Sequence, residues 1–263
     1  MHAHVPRWWV GLATITLLAP LAGVSGIAAA APLLEFHGLH QGSTSSSNWA
    51  GFAATGSKGS VTFVKGSWIV PKIQGTCPAG YRYSSFWVGI DGFTSGSVEQ
   101  TGTDSDCQGG SPTYYAWYEF YPKPSHVITS LTVSAGDTIS ASVTYASGKF
   151  TTKITDTATG KSYSATAKVA AARTSAEWIA EAPSSSTGVL PLADFGTVPF
   201  GIDYTSVKGT DNATISGTNG AVGSFGHVSS ITMVSSGGKT KAVPSGLSTD
   251  LTSFTVAWKS AGP

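Results

Sequence analysis

Several carboxylate side chains lie inside segments that are otherwise aromatic or aliphatic, and they are the first candidates for chemistry. Glu119 belongs to the run WYEFY, and Glu177 and Glu181 flank the run WIA. Because successive side chains of a strand point to opposite faces, Glu177 and Glu181 would share one face, and Glu119 would share one with Trp117 and Tyr121. A carboxyl group among aromatic rings predicts a partly dry groove, where a raised pKa suits general acid–base catalysis.

A second polar group lies between these segments. Asp91 ends the run WVGID, which begins at Trp87, and Glu99 and Gln100 belong to the run VEQTG. The same alternation separates Glu99 from Gln100, so we expect Glu99 to point away from any site that Gln100 lines.

Common site motifs are absent from the sequence. There is no G-x-S-x-G nucleophile elbow, no H-E-x-x-H zinc motif and no phosphate-binding P-loop. The close histidine pair His37 and His40 lies in an N-terminal tail, whereas a metal site needs converging ligands on a rigid scaffold, so we predict no metal. A Ser/His/Asp arrangement stays open, because its members converge from anywhere in a chain. Charged residues make up only 11%, with a net charge of +1, which argues against a nucleic-acid partner.

The N-terminal segment is typical of a secretory signal. Arg7 is the only charge before Glu35, an apolar stretch follows it, and four alanines end at Ala31. We therefore predict a signal peptide at residues 1–31, a flexible linker or short pro-segment at 32–47, and one catalytic domain at 48–263. An uncleaved membrane anchor is the alternative, since the apolar stretch is nearly long enough to span a bilayer.

The predicted export sets expectations for the mature chain. It would act outside the cell, without membrane attachment, and we expect a monomer. Cys77 and Cys107 are the two cysteines of the sequence, and in an oxidising compartment they should pair. A nucleophilic thiol is less favoured, because no Cys–His constellation is evident.

The elements that position the candidate residues are predicted to be strands. Short β-branched and aromatic runs separated by Gly- and Ser-rich turns predict an all-β antiparallel sandwich of two large sheets, of the concanavalin or jelly-roll kind. The predicted strands lie at residues 61–71, 84–91, 98–103, 113–121, 131–133, 138–145, 150–156, 162–169, 175–182, 192–200, 213–216, 231–234, 239–243 and 253–258.

Several of these segments together resemble one family. The matching runs are SNWAG at 47–51, WIVP at 68–71, WVGIDG at 87–92, QTG at 100–102, AWYE at 116–119, YP at 121–122, AEWIAE at 176–181 and ADFG at 193–196. In this order they resemble the glutamic peptidases, or eqolisins, which are secreted, acid-active endopeptidases with a β-sandwich fold. The resemblance covers roughly residues 47–203.

The resemblance implies a catalytic pair. The family's glutamine precedes Thr-Gly and falls on Gln100, and its glutamate is the second of the AEWIxE motif and falls on Glu181. In this reading Glu181 is a general base and acid acting on a water molecule, and Gln100 stabilises the oxyanion. No metal or organic cofactor is implied, and the partners are protein or peptide substrates.

The resemblance also implies residues around the pair. Trp87 and Asp91 would line the site beside it, and Trp117 and Glu119 would form part of the substrate groove. Two other functions stay open. A secreted carbohydrate-binding sandwich would stack sugars on exposed aromatic rings, and a glycosidase would use Glu119 and Glu181 as its carboxylate pair.

Overall fold

The computed structural model describes residues 40–186 and 188–262. The predicted signal peptide at 1–31 and the first part of the predicted linker lie outside these residues. The described chain is almost entirely strand, with one short α-helix at Ile202–Thr205 and a 3-10 turn at Val222–Ser224. No helix in this part is long and apolar enough to cross a membrane.

Nineteen strands follow one another along the described chain. They are β1 His40–Ser46, β2 Trp49–Thr55, β3 Val61–Ile69, β4 Ser85–Ile90, β5 Val98–Gln108, β6 Ser111–Tyr121, β7 His126–Val127, β8 Thr138–Ala146, β9 Lys149–Asp156, β10 Ser162–Ala167, β11 Ser175–Glu181, β12 Ser184–Ser185, β13 Gly188–Val189, β14 Thr197–Phe200, β15 Asn212–Ile215, β16 Thr218–Ala221, β17 His227–Val234, β18 Thr240–Pro244 and β19 Phe254–Trp258. Seventeen of them form one hydrogen-bonded network, and β12 and β13 pair separately.

The network folds into two layers. The front sheet runs in the order β7-β6-β5-β4-β11-β2-β17, and every pairing within it is antiparallel. The back sheet contains β10, β9, β8 and β3, followed by β14, β15, β18 and β19. The two layers join where β17 pairs with β18. The predicted antiparallel β-sandwich is confirmed.

The main core fills the space between the layers. Phe86 and Phe120 reach it from the front sheet, and Trp68 and Phe150 reach it from the back sheet. A smaller apolar cluster lies on the opposite face of the front sheet and includes Trp87, Trp117 and Ile179. The outer face of the front sheet therefore has its own aromatic layer.

Strand β11 demonstrates the alternation that the sequence predicts. Trp178 and Ala180 belong to the main core, whereas Ile179 belongs to the outer cluster. Glu177 and Glu181 share the parity of Ile179 and lie toward the same outer face. The candidate carboxyl groups of this strand are thus separated from the main core by the sheet itself.

The described part of the predicted linker is a strand. Residues His40–Ser46 pair in parallel with β17 over seven positions, from His227 to Met233. Backbone hydrogen bonds to a neighbouring strand hold this Ser-rich segment, although its side chains alone favour a loop. Whether this segment is part of a pro-segment remains a prediction.

Two other predicted strands differ in extent. The strand at 98–103 continues to Gln108, because the long partner β6 pairs with it over eleven positions. Leu131 and Val133 are buried but lie in no strand; they fill the edge of the main core from a loop that turns back on Ile128. An apolar run can therefore be buried without forming a strand, when a turn places its side chains against the core.

The predicted disulfide is present. Cys77 and Cys107 are joined, which links the loop before β4 to the end of β5. Leu192 packs in the main core near this junction, and its neighbour Ala193 packs with the two cysteines.

Gly102 allows two strands of the front sheet to approach closely. It lies opposite Trp87 in the pairing of β4 with β5. A Cβ atom at Gly102 would lie 2.3 Å from the Phe86 carbonyl oxygen and 2.6 Å from the Trp87 Cβ. Real Cβ atoms do not come so close to backbone, so any larger residue would push β4 and β5 apart.

We expect Gly102→Ala to destabilise the fold by about 1–3 kcal/mol through overpacking. The measurement is urea unfolding followed by tryptophan fluorescence. Gly80→Ala is the matched control, because a Cβ there meets no atom within 4 Å. Equal unfolding midpoints for the two variants would contradict the steric argument.

Candidate active site

A cavity of about 660 Å³ opens on the outer face of the front sheet. Three carboxyl groups line it, those of Asp104, Glu119 and Glu181, together with the Gln100 amide. Aromatic rings form much of its wall, among them Trp117. No lysine, arginine or histidine belongs to the described lining, so the cavity carries only acidic groups.

The strand register brings one row of these residues together. Glu181 of β11 lies opposite Ser85 of β4, which lies opposite Asp104 of β5, which lies opposite Tyr115 of β6. Residues in register on adjacent strands lie about 5 Å apart on the same face. The end of β11 therefore positions the Glu181 carboxyl group along a row that ends in a phenol.

A second row holds the glutamine. Gln100 lies opposite Gly89 of β4 and opposite Glu119 of β6. The Gln100 Nε2 atom donates a hydrogen bond of 2.6 Å to Glu119 Oε2. The Gln100 Oε1 atom is buried and accepts no hydrogen bond in the described structure. The contact with Glu119 fixes the amide orientation and leaves its oxygen and one N–H hydrogen free.

Trp87 connects the two rows from below. Its indole Nε1 donates a hydrogen bond of 2.8 Å to Glu181 Oε2. The opposite edge of the ring lies over Gly89, where a Cβ atom would be only 2.9 Å from Trp87 Cζ3. The side chain of Trp87 is fully buried. It thus supports Glu181 at one end and the strand segment beside Gln100 at the other.

The surroundings of Glu181 favour its protonated form. Asn48 Nδ2 donates a hydrogen bond of 3.0 Å to Glu181 Oε1, and the Trp49 ring packs edge-on against Trp87 at 5.0 Å. Burial raises the pKa of Glu181 to about 7, with a further increase from Asp104, although hydrogen bonds from Trp87, Trp49 and Asn48 oppose the rise. Protein atoms surround the carboxyl group except where it opens to the cavity.

Glu119 has a raised pKa as well. Burial is the main cause, while the hydrogen bond from Gln100 and the nearby His126 lower it. Glu119 and Trp117 both line the cavity, as the sequence predicts for groove residues. Their effect on substrate binding stays a prediction.

Two predicted substrate-binding residues lie elsewhere. Trp87 is beneath the cavity, where it contacts Glu181. Asp91 is fully buried and outside the cavity lining; its Oδ2 accepts the Arg173 N–H at 2.6 Å and its Oδ1 accepts the Thr174 N–H at 2.8 Å. Asp91 takes a left-handed conformation with φ of 74° at the end of β4 and holds the loop that leads into β11.

Sequence reasoning missed four residues of the site. Asn48 and Trp49 belong to the SNWAG run, Asp104 lies one residue beyond the strand predicted at 98–103, and Tyr115 lies within the strand predicted at 113–121. Asp104 is four residues after Gln100 on the same face, so extending the strand alternation would have found it. Nothing in the sequence points to Asn48 as a partner of Glu181, because 133 residues separate them.

A sequence profile of the Peptidase A4 family matches residues 47–242. The chain belongs to this family. The match includes the strands that carry both candidate catalytic residues.

Two known peptidases are similar in sequence to this chain. The chain is 34% identical to Aspergillopepsin-2 of Aspergillus niger over 180 residues, covering 59% of this chain and 62% of the relative. It is 36% identical to Scytalidopepsin B of Scytalidium lignicola over 176 residues, covering 64% of this chain and 63% of the relative. The chain therefore spans less than two thirds of the length of these curated relatives.

A solved structure of the Peptidase A4 type has the same fold. The crystal structure of scytalido-glutamic peptidase with a transition state analog inhibitor superposes with a TM-score of 0.66 at 28% identity. It covers 81% of this chain and 98% of that chain. Within the described residues, no group of three or more His, Cys, Asp or Glu side chains could hold a metal ion.

Two further carboxyl groups of this Peptidase A4 chain are buried near the site without lining it. Glu99 is fully buried and neither of its carboxyl oxygens has a hydrogen-bond partner. Burial, with a contribution from Asp91, raises the pKa of Glu99 to about 8. Burial also raises the pKa of Glu177 well above its ordinary value. Glu99 does lie outside the cavity, as alternation predicts, and both groups are protonated in the folded protein at acidic pH.

These buried acids predict a pH dependence of stability. The folded pKa of Glu99 is above the unfolded value of 4.5, so its protonation stabilises the fold below about pH 4.5, and this contribution is lost as the pH rises through about 8. We expect Glu99→Gln to flatten the fall in the free energy of unfolding over this range. Urea unfolding at a series of pH values measures it.

Asp203→Asn is the control for this experiment, since Asp203 is an exposed residue in the short α-helix. It should leave the slope of stability against pH unchanged. A Glu99→Gln protein with the same slope as the unmodified chain would contradict a protonated Glu99.

Proposed function

We propose that this chain is an endopeptidase that hydrolyses peptide bonds with Glu181 and Gln100. The observation that carries the proposal is that a shielded carboxyl group and a partly unpaired amide face the same cavity. Membership of the Peptidase A4 family supports it, as does the relative whose crystal structure holds a transition state analog inhibitor.

Glu181 would act first as general base. Its carboxylate takes a proton from a water molecule as the water oxygen attacks the scissile carbonyl carbon. The hydrogen bonds from Asn48 and Trp87 hold the two carboxyl oxygens in fixed positions. A base whose oxygens are already oriented loses little freedom when the substrate arrives.

Gln100 would stabilise the oxyanion that forms on the carbonyl oxygen. One of its N–H hydrogens is engaged by Glu119, and the second is free to donate. A single donor of this kind is typically worth about 3–4 kcal/mol of barrier.

The proton balance closes on Glu181. The carboxyl group that removed a proton from water returns it to the amide nitrogen, and the C–N bond breaks to give an amine and a carboxylic acid. A raised pKa suits this second step, because the group must hold the proton until the nitrogen accepts it. Neither step requires a metal or a cofactor.

The raised pKa values also set a pH window. The base form of Glu181 is lost as the pH falls below about 7. The stability that protonated Glu99 contributes to the fold is lost as the pH rises through about 8. We therefore propose activity that is highest near neutrality, between these two pKa values, and that falls as the pH drops into the acidic range. This window is less acidic than the family resemblance alone implies.

Protein or peptide chains are the proposed substrates. Trp117, Tyr121 and Val127 provide apolar surface around the cavity, and Glu119 provides a carboxyl oxygen that Gln100 does not engage. Apolar walls with a few fixed polar groups are the usual composition of a binding cleft.

We also propose that the mature protein is secreted and acts as a monomer. The signal-like segment at residues 1–31 supports export. The Cys77–Cys107 disulfide supports it independently, because such bonds persist in oxidising compartments.

The test is digestion of a denatured protein substrate across about pH 2–8 by the purified chain, beside Gln100→Ala and Glu181→Gln. Cleavage should fall by at least about 100-fold in Gln100→Ala, as for loss of an oxyanion donor, and further in Glu181→Gln. Near-ultraviolet circular dichroism establishes that the variants stay folded.

Gln74→Ala and Asp203→Asn are the matched controls, because both residues are exposed and lie away from the cavity. Cleavage that survives both site substitutions would locate the active site elsewhere. If the unmodified chain cleaves no peptide but binds or hydrolyses polysaccharide, the carbohydrate-binding or glycosidase function replaces this proposal.

A further inference from the structure

A phenol between two carboxyl groups lies at the wall of the cavity, where Tyr115 and Asp104 line it beside Trp117. Tyr115 Oη is 2.8 Å from Asp104 Oδ2 and 2.9 Å from Asp106 Oδ2. The phenol has one hydrogen, so it can donate to only one of them. For the other contact to be a hydrogen bond, its carboxyl group must carry a proton of its own. We call Asp104, Tyr115 and Asp106 the carboxyl–phenol cluster.

The surroundings of the two carboxyl groups indicate which one is protonated. Asp104 Oδ1 accepts the Trp117 Nε1–H at 2.6 Å, and the Ser85 hydroxyl also donates to Asp104. Asp106 Oδ1 accepts the Ser84 N–H at 3.0 Å. Donors stabilise an anion, so Asp104 is the better place for the negative charge.

The remaining contact of Asp106 agrees with this assignment. Its Oδ2 lies 3.5 Å from Gln108 Nε2, at the limit of a hydrogen bond. Because Asp106 is fully buried, an anion there would be poorly solvated. Burial raises the pKa of both carboxyl groups, and the nearby charge of Asp104 adds to the rise at Asp106.

We propose that protonated Asp106 donates to Tyr115, which donates to anionic Asp104, and that this directed chain positions Trp117 and sets the pH at which Glu181 ionises. Asp106 and Tyr115 are positioning residues, because neither has to touch the substrate. The proposal rests on the function proposed above for Glu181.

The coupling to Glu181 follows from the strand rows. Asp104 and Glu181 lie on either side of Ser85 in one cross-strand row. A negative charge on Asp104 opposes a second negative charge on Glu181 and so favours its protonated form. That form is the proton donor to the leaving amine. The cluster would thus keep Glu181 able to return its proton at mildly acidic pH.

Neutral and acidic groups face the carboxyl–phenol cluster from the neighbouring strands. Ser85 lies on β4, Trp117 on β6 and Glu181 on β11, and Tyr83 precedes β4 with a pKa raised by burial and by Asp106. None of them carries a positive charge. The negative charge on Asp104 is therefore not neutralised by an ion pair with any of them, and proton sharing within the cluster controls it.

The experiment compares the acid limb of kcat/KM against pH in three variants. Asp104→Asn removes the charge beside Glu181, and Tyr115→Phe removes a donor from Asp104 so that the proton moves onto it. Both should shift the acid limb to lower pH by about half a unit to one unit. In Asp106→Asn the amide N–H replaces the carboxyl O–H as donor, so its acid limb should stay within about 0.2 unit of the unmodified chain.

A structural role alone would give a different pattern. It would lower kcat or stability in all three variants without moving the limb. An unmoved limb in Tyr115→Phe and Asp104→Asn would overturn the proposal, and so would an Asp106→Asn shift as large as theirs. Asp203→Asn is the control for removal of an exposed carboxylate.

A second readout does not depend on activity. The pH dependence of urea unfolding is measured for each cluster variant with and without Glu181→Gln, and the difference reports the pKa of Glu181. Protonation of Glu181 stabilises the fold at low pH, and this contribution is lost as the pH rises through its folded pKa. A lower Glu181 pKa in Tyr115→Phe supports the role of the cluster even if no peptide is cleaved. Peptide cleavage together with an unchanged Glu181 pKa in Tyr115→Phe rejects the role of the cluster and leaves the proposed function standing.

Discussion

Buried carboxyl groups that accept hydrogen bonds from neutral donors dominate the front sheet, and the rest of the site follows from how each is kept stable. A buried carboxyl group must hold a proton or accept hydrogen bonds from fixed donors. Asn48 and Trp87 meet this need for Glu181, Gln100 meets it for Glu119, and Tyr115 meets it for Asp104. The donors are neutral, so they orient the acids without removing their ability to exchange protons.

The strand pairing makes this arrangement possible. Adjacent strands of the front sheet align their side chains in rows, so that four strands contribute one residue each to the row of Glu181 and to the row of Gln100. Gly89 and Gly102 leave space for the Trp87 ring between the rows. Because the second face of the same strands fills the main core, movement of one row would disturb the packing of the other face.

Local patterns were sufficient for the fold class and for much of the site. Alternation in WYEFY and AEWIAE predicts the faces of Glu119 and Glu181, and both side chains line the cavity as expected. The same patterns do not reveal Asn48 or the buried state of Asp91. Asn48 reaches Glu181 across 133 residues of sequence, and Asp91 turns inward because of a left-handed backbone conformation. Such features depend on tertiary pairing, whereas periodicity reports only one strand at a time.

The parallel pairing of β1 with β17 has a consequence for the order of assembly. Strand β1 begins at His40 and its partner β17 begins at His227, so the two strands are far apart in the sequence. Strand β2 also pairs with β17. Long-range strand pairings form slowly, because the intervening chain must first be brought together. Asn48 lies between β1 and β2, so both strands that flank it gain their shared neighbour only after β17 has been synthesised. A ribosome-bound fragment that already contains Gln100 and Glu181 therefore holds Asn48 only through the pairing of β2 with β11.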